Sequence, residues 1–327
     1  MTAQPTPIGF GPDLQAIRAA QRRIAPHIHR TPVLTSSSLD ALAGVRLFFK
    51  CENLQKTGSF KIRGASNAIF SLSDAEAGRG VVTHSSGNHA AAVALAAKRR
   101  GIPAWIVMPS NAPLVKRRAV EGYSGQITFC EPTLAAREAA AAEIIRRTGA
   151  LMIHPYDDDR IIAGQATAAL ELLQEVPDLD FVIAPVSGGG LLSGTALAAR
   201  ALRPAIRVIG CEPKNADDAF RSLQAGRLLL VDHPDTIADG LRASLSERTF
   251  AILKRHVEQI ALVSEEEIIA AMRAVWEFMK LVIEPSSAVA VAPLLNGILR
   301  YPGSATRQKV GIILSGGNMD LAALPFR

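Results

Sequence analysis

Residues 81–108 read VVTHSSGNHAAAVALAAKRRGIPAWIVM. A short apolar run, Val81–Ser86, leads into an alanine-rich helical run, Ala90–Lys98, and a second apolar run follows at Ala104–Met108. The apolar runs are nearly continuous rather than alternating, which is the pattern of strands buried on both faces of a parallel sheet. Parallel neighbours need a crossover, and the alanine-rich run is long enough to be one.

The same alternation extends outward. Ala104–Met108 precedes a helical run at Ala112–Tyr123, Gln126–Cys130 precedes Thr133–Thr148, and Leu151–His154 precedes Ile162–Glu175. Phe181–Val186 precedes Leu191–Ala201, and Val208–Cys211 follows. Glu265–Lys280 reads as a helix, Ser286–Ile298 as one bent or broken at Pro293, and Val310–Leu314 as a last buried strand. Towards the N-terminus, residues 13–25 form an amphipathic pattern capped by Asp13, with Leu14, Ile17 and Ile24 on one side. Val45–Leu54 reads as a strand. The fold class is α/β with mostly parallel sheets, and 327 residues exceed one ordinary core, so two αβα domains are expected.

Composition narrows the function. A chain with 48% hydrophobic and 20% charged residues is globular, and it has no apolar run long enough to span a membrane. The opening residues MTAQPTPIGFGPD lack the basic and apolar segments of a secretion signal, so a cytoplasmic protein is expected. Cys51, Cys130 and Cys211 are scattered without CxxC spacing, consistent with reduced thiols. The net charge of +6 is dispersed, with clusters only at Lys98–Arg100 and Lys116–Arg118, and no interleaved aromatics suggest nucleic acid. A solvated basic face fits that balance better, and the charge also favours anionic substrates.

Residues 55–65, QKTGSFKIRGA, place Lys61 at the start of a helical run, with Ser59 the expected N-cap. A lysine there opposes the helix dipole and sits among apolar neighbours, which eases loss of its proton. Alone, the stretch fits an exposed helix lysine better. Doubly wound folds bind ligands at the carboxyl ends of strands, which directs attention to three further stretches. THSSGNHAAA (83–92) gathers Ser85, Ser86, Asn88 and His89 at a helix start, a setting for a carboxylate; simple capping needs only one of the serines. VSGGGLLSG (186–194) lets several amides converge on one anion. Ser193 stands where a dinucleotide fingerprint needs glycine, and no Gly-Lys-Ser/Thr ending is present, so a single phosphate fits better than a nucleotide. ILSGGNMD (313–320) puts Ser315 at the end of the last strand, where a hydroxyl can meet a ring nitrogen without charging it, although alone the stretch fits a plain Gly-Gly turn. Together these features describe a pyridoxal phosphate site acting on an amino acid.

SFKIRGA, HSSGNHA, SGGGL and LSGGN, in this order, resemble the fold type II pyridoxal-phosphate enzymes, specifically the serine/threonine dehydratase and serine racemase family. The resemblance implies a tryptophan-synthase-β-like fold, with a large domain of residues 1–73 plus 157–327 and a small mobile domain of 74–156. It implies Lys61 as the Schiff-base lysine and Phe60 beside the ring. Asn88 would partner the ring oxygen, Gly188, Gly189, Gly190 and Leu191 the phosphate, and Ser315 the ring nitrogen. Ser86 matches the second acid/base on the face opposite Lys61, and Ser85, Asn88 and His89 match the substrate-carboxylate loop. In CEPKNADD (211–218), Glu212, the Ala216 carbonyl and Asp218 match a divalent-cation site suited to Mg²⁺, Mn²⁺ or Ca²⁺. Read without the resemblance, these acids cap a helix.

Arg137 matches an arginine of serine racemases and threo-3-hydroxyaspartate dehydratases, where it would hold a second carboxylate; the alternative is a solvated surface arginine. HPYDDDRIIAGQ (154–165) and EPSSAV (284–289) also lean toward the hydroxyaspartate branch. The expected activity is dehydration and deamination of L-threonine, L-serine or threo-3-hydroxyaspartate by a homodimer. The alternatives are a serine racemase and a non-catalytic amino-acid sensor, although a sensor would be expected to lose Lys61 or Ser86. A nicotinamide oxidoreductase would need the fingerprint that is missing.

Overall fold

A computed structural model describes residues 11–85, 87–112, 114–231, 234–299 and 308–325. Among them the strands are β1 (Val33–Leu34), β2 (Arg46–Cys51), β3 (Val81–His84), β4 (Ala104–Pro109) and β5 (Gln126–Cys130). They continue with β6 (Leu151–Met152), β7 (Phe181–Pro185), β8 (Arg207–Pro213), β9 (Gln259–Val263) and β10 (Lys309–Leu314). One sheet runs β1-β2-β10-β7-β8-β9 and the other β5-β4-β3-β6. Only β1 is antiparallel to its neighbour. The parallel strands therefore present their carboxyl ends on a common side of each sheet.

The helices pack on these sheets through apolar faces. Asp13 caps helix Leu14–Ile24, accepting from the Ala16 amide, and Ile17 and Ile24 are buried while Leu14 is partly so. Helices Lys61–Phe70 and Gly190–Leu202 both pack on helix Asp159–Glu175 at backbone contact. A Cβ on Gly164 would come within 2.6 Å of Gly64 Cα, and one on Gly194 within 2.7 Å of Ala166 N. Small residues at these crossings are thus required by shape, and they set the Lys61 helix in fixed relation to the glycine loop.

A buried charge cluster holds the same helix. Arg63 donates to both carboxylate oxygens of Glu52 at 2.7 and 2.8 Å and of Glu171 at 2.9 and 2.8 Å. Lys50 adds a contact to Glu171 at 2.7 Å, and Thr31 donates to Glu52 at 2.5 Å. Two cations and two anions balance, with the lone pairs largely satisfied.

Several expectations are corrected. Val45–Leu54 is not one strand: β2 stops at Cys51 and a 3-10 turn, Glu52–Leu54, turns the Glu52 carboxylate in toward Arg63. Ser59 does not cap the Lys61 helix. Its backbone is extended and bridged to Gly316, and the helix starts from Phe60 without a side-chain cap. Of the bent and broken alternatives for Ser286–Ile298, the broken one holds: the run is two short helices, Pro285–Ala288 and Ala292–Leu295, and the break falls just before Pro293 rather than at it. The three cysteines are free; burial pushes the Cys51 thiol up to about 12 and also raises Cys211. No helix among the described residues is long and apolar enough to cross a membrane.

Candidate active site

Residues that follow β2, β3 and β10, Thr57, Asn88 and Asn318 among them, line a common cleft. Lys61 opens helix Lys61–Phe70, and its Nζ donates to the Pro155 carbonyl at 2.9 Å. Burial lowers its pKa to about 8, against the opposing charge of Glu284. The amine therefore has a substantial neutral fraction near neutral pH, where an exposed lysine has almost none. Its Nζ lies 5.2 Å from the centre of the Phe60 ring. The Phe60 amide donates to the Ser315 carbonyl at 3.0 Å, which sets Lys61 beside the end of β10.

The glycine loop lies at the start of helix Gly190–Leu202, with Gly189 as N-cap at φ 88°, a conformation glycine adopts without strain. The first amides of that helix have no partner within it. Tyr156 lies against the loop: a Cβ on Gly188 would come within 2.3 Å of its ring, and one on Gly190 within 2.9 Å of Tyr156 Cβ. Beside it, Ser187 Oγ donates to the Ala243 carbonyl and accepts from the Ala243 amide, both at 3.0 Å. Free amides at a helix start, in a glycine loop, are a setting for one anion.

On the other wall, helix Asn88–Arg100 begins at Gly87 with no side-chain cap. Ser85 Oγ accepts from the Gly87 amide at 3.3 Å and does not cap the first turn of the helix. Ser86 lies outside the described residues. Asn88 Nδ2 donates to Glu284 at 2.9 and 3.2 Å, and its Oδ1 accepts from Asn318 at 2.9 Å. His89 is buried; its Nε2 contacts the Ile153 carbonyl at 3.0 Å and its Nδ1 has no partner among the described residues. Burial lowers the His89 pKa to about 3, with Lys61 adding to the effect.

His154 belongs to the site, though only the surrounding 154–165 stretch was noted from sequence. Its Nδ1 accepts from the amides of Asp157 at 2.8 Å and Tyr156 at 3.3 Å, so the ring is neutral with its proton on Nε2. Burial lowers its pKa to about 4. It packs edge-on to Tyr156, and to His84 at 6.1 Å between ring centres. Arg137, half-exposed on helix Leu134–Thr148, faces this group. After burial, its charge is the next cause lowering the His84 pKa, and it acts on Tyr156 as well. It has no acidic partner within ion-pair distance among the described residues, and its Nε reaches the Thr133 carbonyl at 3.3 Å.

The acidic stretch at the end of β8 serves its helix. The buried Glu212 carboxylate accepts from the Ala219 and Phe220 amides at 3.2 and 3.0 Å, in the first turn of helix Asp218–Ala225. Asp218 accepts from the Leu245 amide at 2.9 Å. Burial and the neighbouring Asp218 raise the Glu212 pKa, and burial lifts Asp218 to about 6. Among the described residues, no cluster of three or more His, Cys, Asp or Glu side chains gathers as metal ligands. The available set here is two carboxylates and the Ala216 carbonyl, a hard oxygen set.

Residues 24–316 match the family model described as "Pyridoxal-phosphate dependent enzyme". The chain is 50% identical over 317 residues to a serine racemase of Oryza sativa, covering 97% of this chain and 94% of that one. It is 49% identical over 315 residues to the beta-hydroxyaspartate dehydratase of Paracoccus denitrificans, covering 96% and 99%. The solved structure of maize serine racemase superposes with a TM-score of 0.93 at 49% identity, covering 95% of each chain. A lysine with a depressed pKa, an amide nest and a polar cleft at the strand ends agree with that match, and the chain belongs to the pyridoxal-phosphate-dependent enzyme family.

Proposed function

We propose that this enzyme eliminates water from a β-hydroxy amino acid, giving a 2-oxo acid and ammonia. The buried Lys61 amine, held by the Pro155 carbonyl between the amide nest and Ser315, is the observation that supports this most. Lys61 would hold the cofactor aldehyde, Asn88 its ring oxygen, Ser315 its ring nitrogen, and Gly188, Gly189, Gly190 and Leu191 its phosphate, with Phe60 alongside. When bound, pyridoxal phosphate supplies an electron sink for charge developing at the substrate α-carbon. The start of helix Asn88–Arg100, with Ser85, Asn88 and His89, takes the substrate carboxylate. The released Lys61 amine would take the α-proton and pass it to the departing β-hydroxyl, which leaves as water, and the freed enamine, through its imine, takes up water to release ammonia. Ser315, a neutral donor, leaves the ring nitrogen uncharged, which suits a short-lived carbanion. Ser86 serves the opposite face.

The four-stranded sheet belongs to a small domain of about residues 74–156 that closes on substrate, and the ion pair Lys116–Asp239 already spans the cleft. Arg137 reaches a second carboxylate on the substrate side chain. Glu212, Asp218 and the Ala216 carbonyl take Mg²⁺ or a similar hard cation, which would offset the burial that raises both carboxyl pKa values and the repulsion Glu212 meets from Asp218. The enzyme acts in the cytoplasm as a homodimer; exposed Leu54 and Val282, on segments joined by the Asn53–Val282 hydrogen bond, are residues a second copy would cover. Racemisation of serine is a second reading, favoured by the relatives bearing that name.

The test is a side-by-side assay of L-threonine, L-serine and threo-3-hydroxyaspartate, with Mg²⁺ or EDTA, on wild type and Arg137→Ala. A guanidinium paired with the dicarboxylate is worth about 2–4 kcal/mol, roughly 30- to 1000-fold in specificity. If Arg137→Ala leaves the hydroxyaspartate-to-threonine ratio unchanged, the arginine is a surface residue. D-serine formed in excess of pyruvate makes the enzyme a racemase.

A further inference from the structure

Glu284 stands at the N-cap position of helix Pro285–Ala288, yet its side chain does not cap that helix. It turns inward instead and is 3% exposed. Gly316 makes room for it, since a Cβ there would come within 2.7 Å of Glu284 Oε1. No cation contacts the carboxylate at ion-pair distance among the described residues. Burying a carboxylate on such terms is costly, and stability alone gives no reason to retain it.

Its hydrogen bonds give a reason. Asn318 Nδ2 donates to the Thr57 carbonyl at 2.6 Å and to Asn88 Oδ1 at 2.9 Å, which uses both of its amide protons. Asn88 Nδ2 in turn faces Glu284 Oε1 and Oε2 at 2.9 and 3.2 Å. A backbone carbonyl at one end and an ionised carboxylate at the other accept only. The chain of amides between them has a single direction, and Asn88 keeps one N–H for a ligand.

We propose that Glu284 is a positioning residue that sets the direction of the Asn88 amide, so that Asn88 donates to the cofactor's ring oxygen, and that supplies the negative charge facing Lys61. This rests on the reading of Asn88 as the ring-oxygen partner. Charged and titratable groups face Glu284 from several elements. Lys61 lies on the helix after the Thr57 turn, Lys116 on helix Leu114–Gly122, and Asp239 in the turn Asp239–Leu241. Burial and Asp239 push the Glu284 pKa up to about 7, while Asn88, Lys116 and the Asn318 amide pull it down. Protonation below that pH gives the carboxyl its own donor, and the direction of the amide chain is no longer imposed.

The experiment follows the absorbance of the bound cofactor against pH, and the dissociation constant of pyridoxal phosphate, in the holoenzymes of wild type, Glu284→Gln, Asp239→Asn and Asn88→Ala. A nearby opposite charge favours the cationic form, by about one pH unit or more at close range. Glu284→Gln is expected to lower the midpoint of the cofactor band by about that amount. Asp239→Asn, which removes a like charge at a part-exposed position, is expected to move the transition belonging to Glu284 to lower pH, and it keeps the test open if Glu284→Gln does not fold. Asn88→Ala is expected to shift the band and weaken cofactor binding. If Asn88→Ala alters neither, the reading of Asn88 is wrong. If Asn88→Ala alters both while Glu284→Gln and Asp239→Asn keep the wild-type midpoint, Glu284 has no positioning role. A Glu284→Gln variant that loses thermal stability with an unmoved midpoint likewise makes the residue merely structural.

Discussion

Substituting Gly188 by alanine tests how the glycine loop is built. The added Cβ would lie 2.3, 2.4 and 2.5 Å from three ring atoms of Tyr156, so either the ring or the loop has to move. Both responses reach the site. Displacing Tyr156 moves the segment whose Pro155 carbonyl holds Lys61 Nζ, and displacing the loop opens the amide nest. Overpacking of this kind costs about 1–3 kcal/mol. If that cost falls on the cofactor-bound state, affinity for pyridoxal phosphate drops about 5- to 150-fold. Gly122→Ala is the control, because a Cβ there meets nothing within 4 Å. Cofactor titration of the apoenzymes, with circular dichroism to monitor folding, reads the difference. Wild-type affinity in Gly188→Ala, or equal losses in both variants, would refute the argument that Tyr156 and the loop form one cradle.

Arg63→Met leaves Glu52 and Glu171 buried with much of their pairing gone, a loss of about 3–5 kcal/mol, read as a lower denaturant midpoint; a change within 1 kcal/mol would show the cluster to be dispensable. Asp218, raised to about 6, and Glu212, raised well above the ordinary carboxyl range, let the folded state bind extra protons above that range, so these groups cost stability as pH rises through their folded-state pKa values. Mg²⁺ is expected to return that stability, with a gain in Tm larger at pH 8 than at pH 5, and a gain independent of pH would count against these ligands. Ser86→Ala is expected to reduce racemisation of serine more than elimination from the enantiomer served by Lys61; equal losses remove Ser86 from its role.

Much of this fold was legible because buried parallel strands carry an unmistakable apolar signature. Most of the strands were read within a residue or two, and the half-exposed edge strand Gln126–Cys130 with its observed bounds. The errors fell where tertiary contacts override local pattern. Glu52 ends β2 because Arg63 waits beside it, a partner far away in space until the chain folds. Ser59 looks like a cap but is held extended by Gly316, more than two hundred residues on. β9 was missed because five residues between two helices carry little periodic signal. At the site, glycines and serines at strand ends were readable because their chemistry is local. Glu284 was noted only within a motif, since nothing in EPSSAV indicates that its carboxylate turns away from its own helix to meet Asn88.

Ammonia and 2-oxo acid, measured together from each β-hydroxy amino acid for wild type and Lys61→Ala, decide whether the chain carries out this elimination. Equimolar products are expected from the wild-type holoenzyme. Lys61→Ala, folded by circular dichroism, should give neither product and lack the cofactor absorbance near ~410–420 nm. Product formation at the wild-type rate by Lys61→Ala, or a wild-type protein that binds pyridoxal phosphate but releases no ammonia from any of the substrates, would contradict that reading.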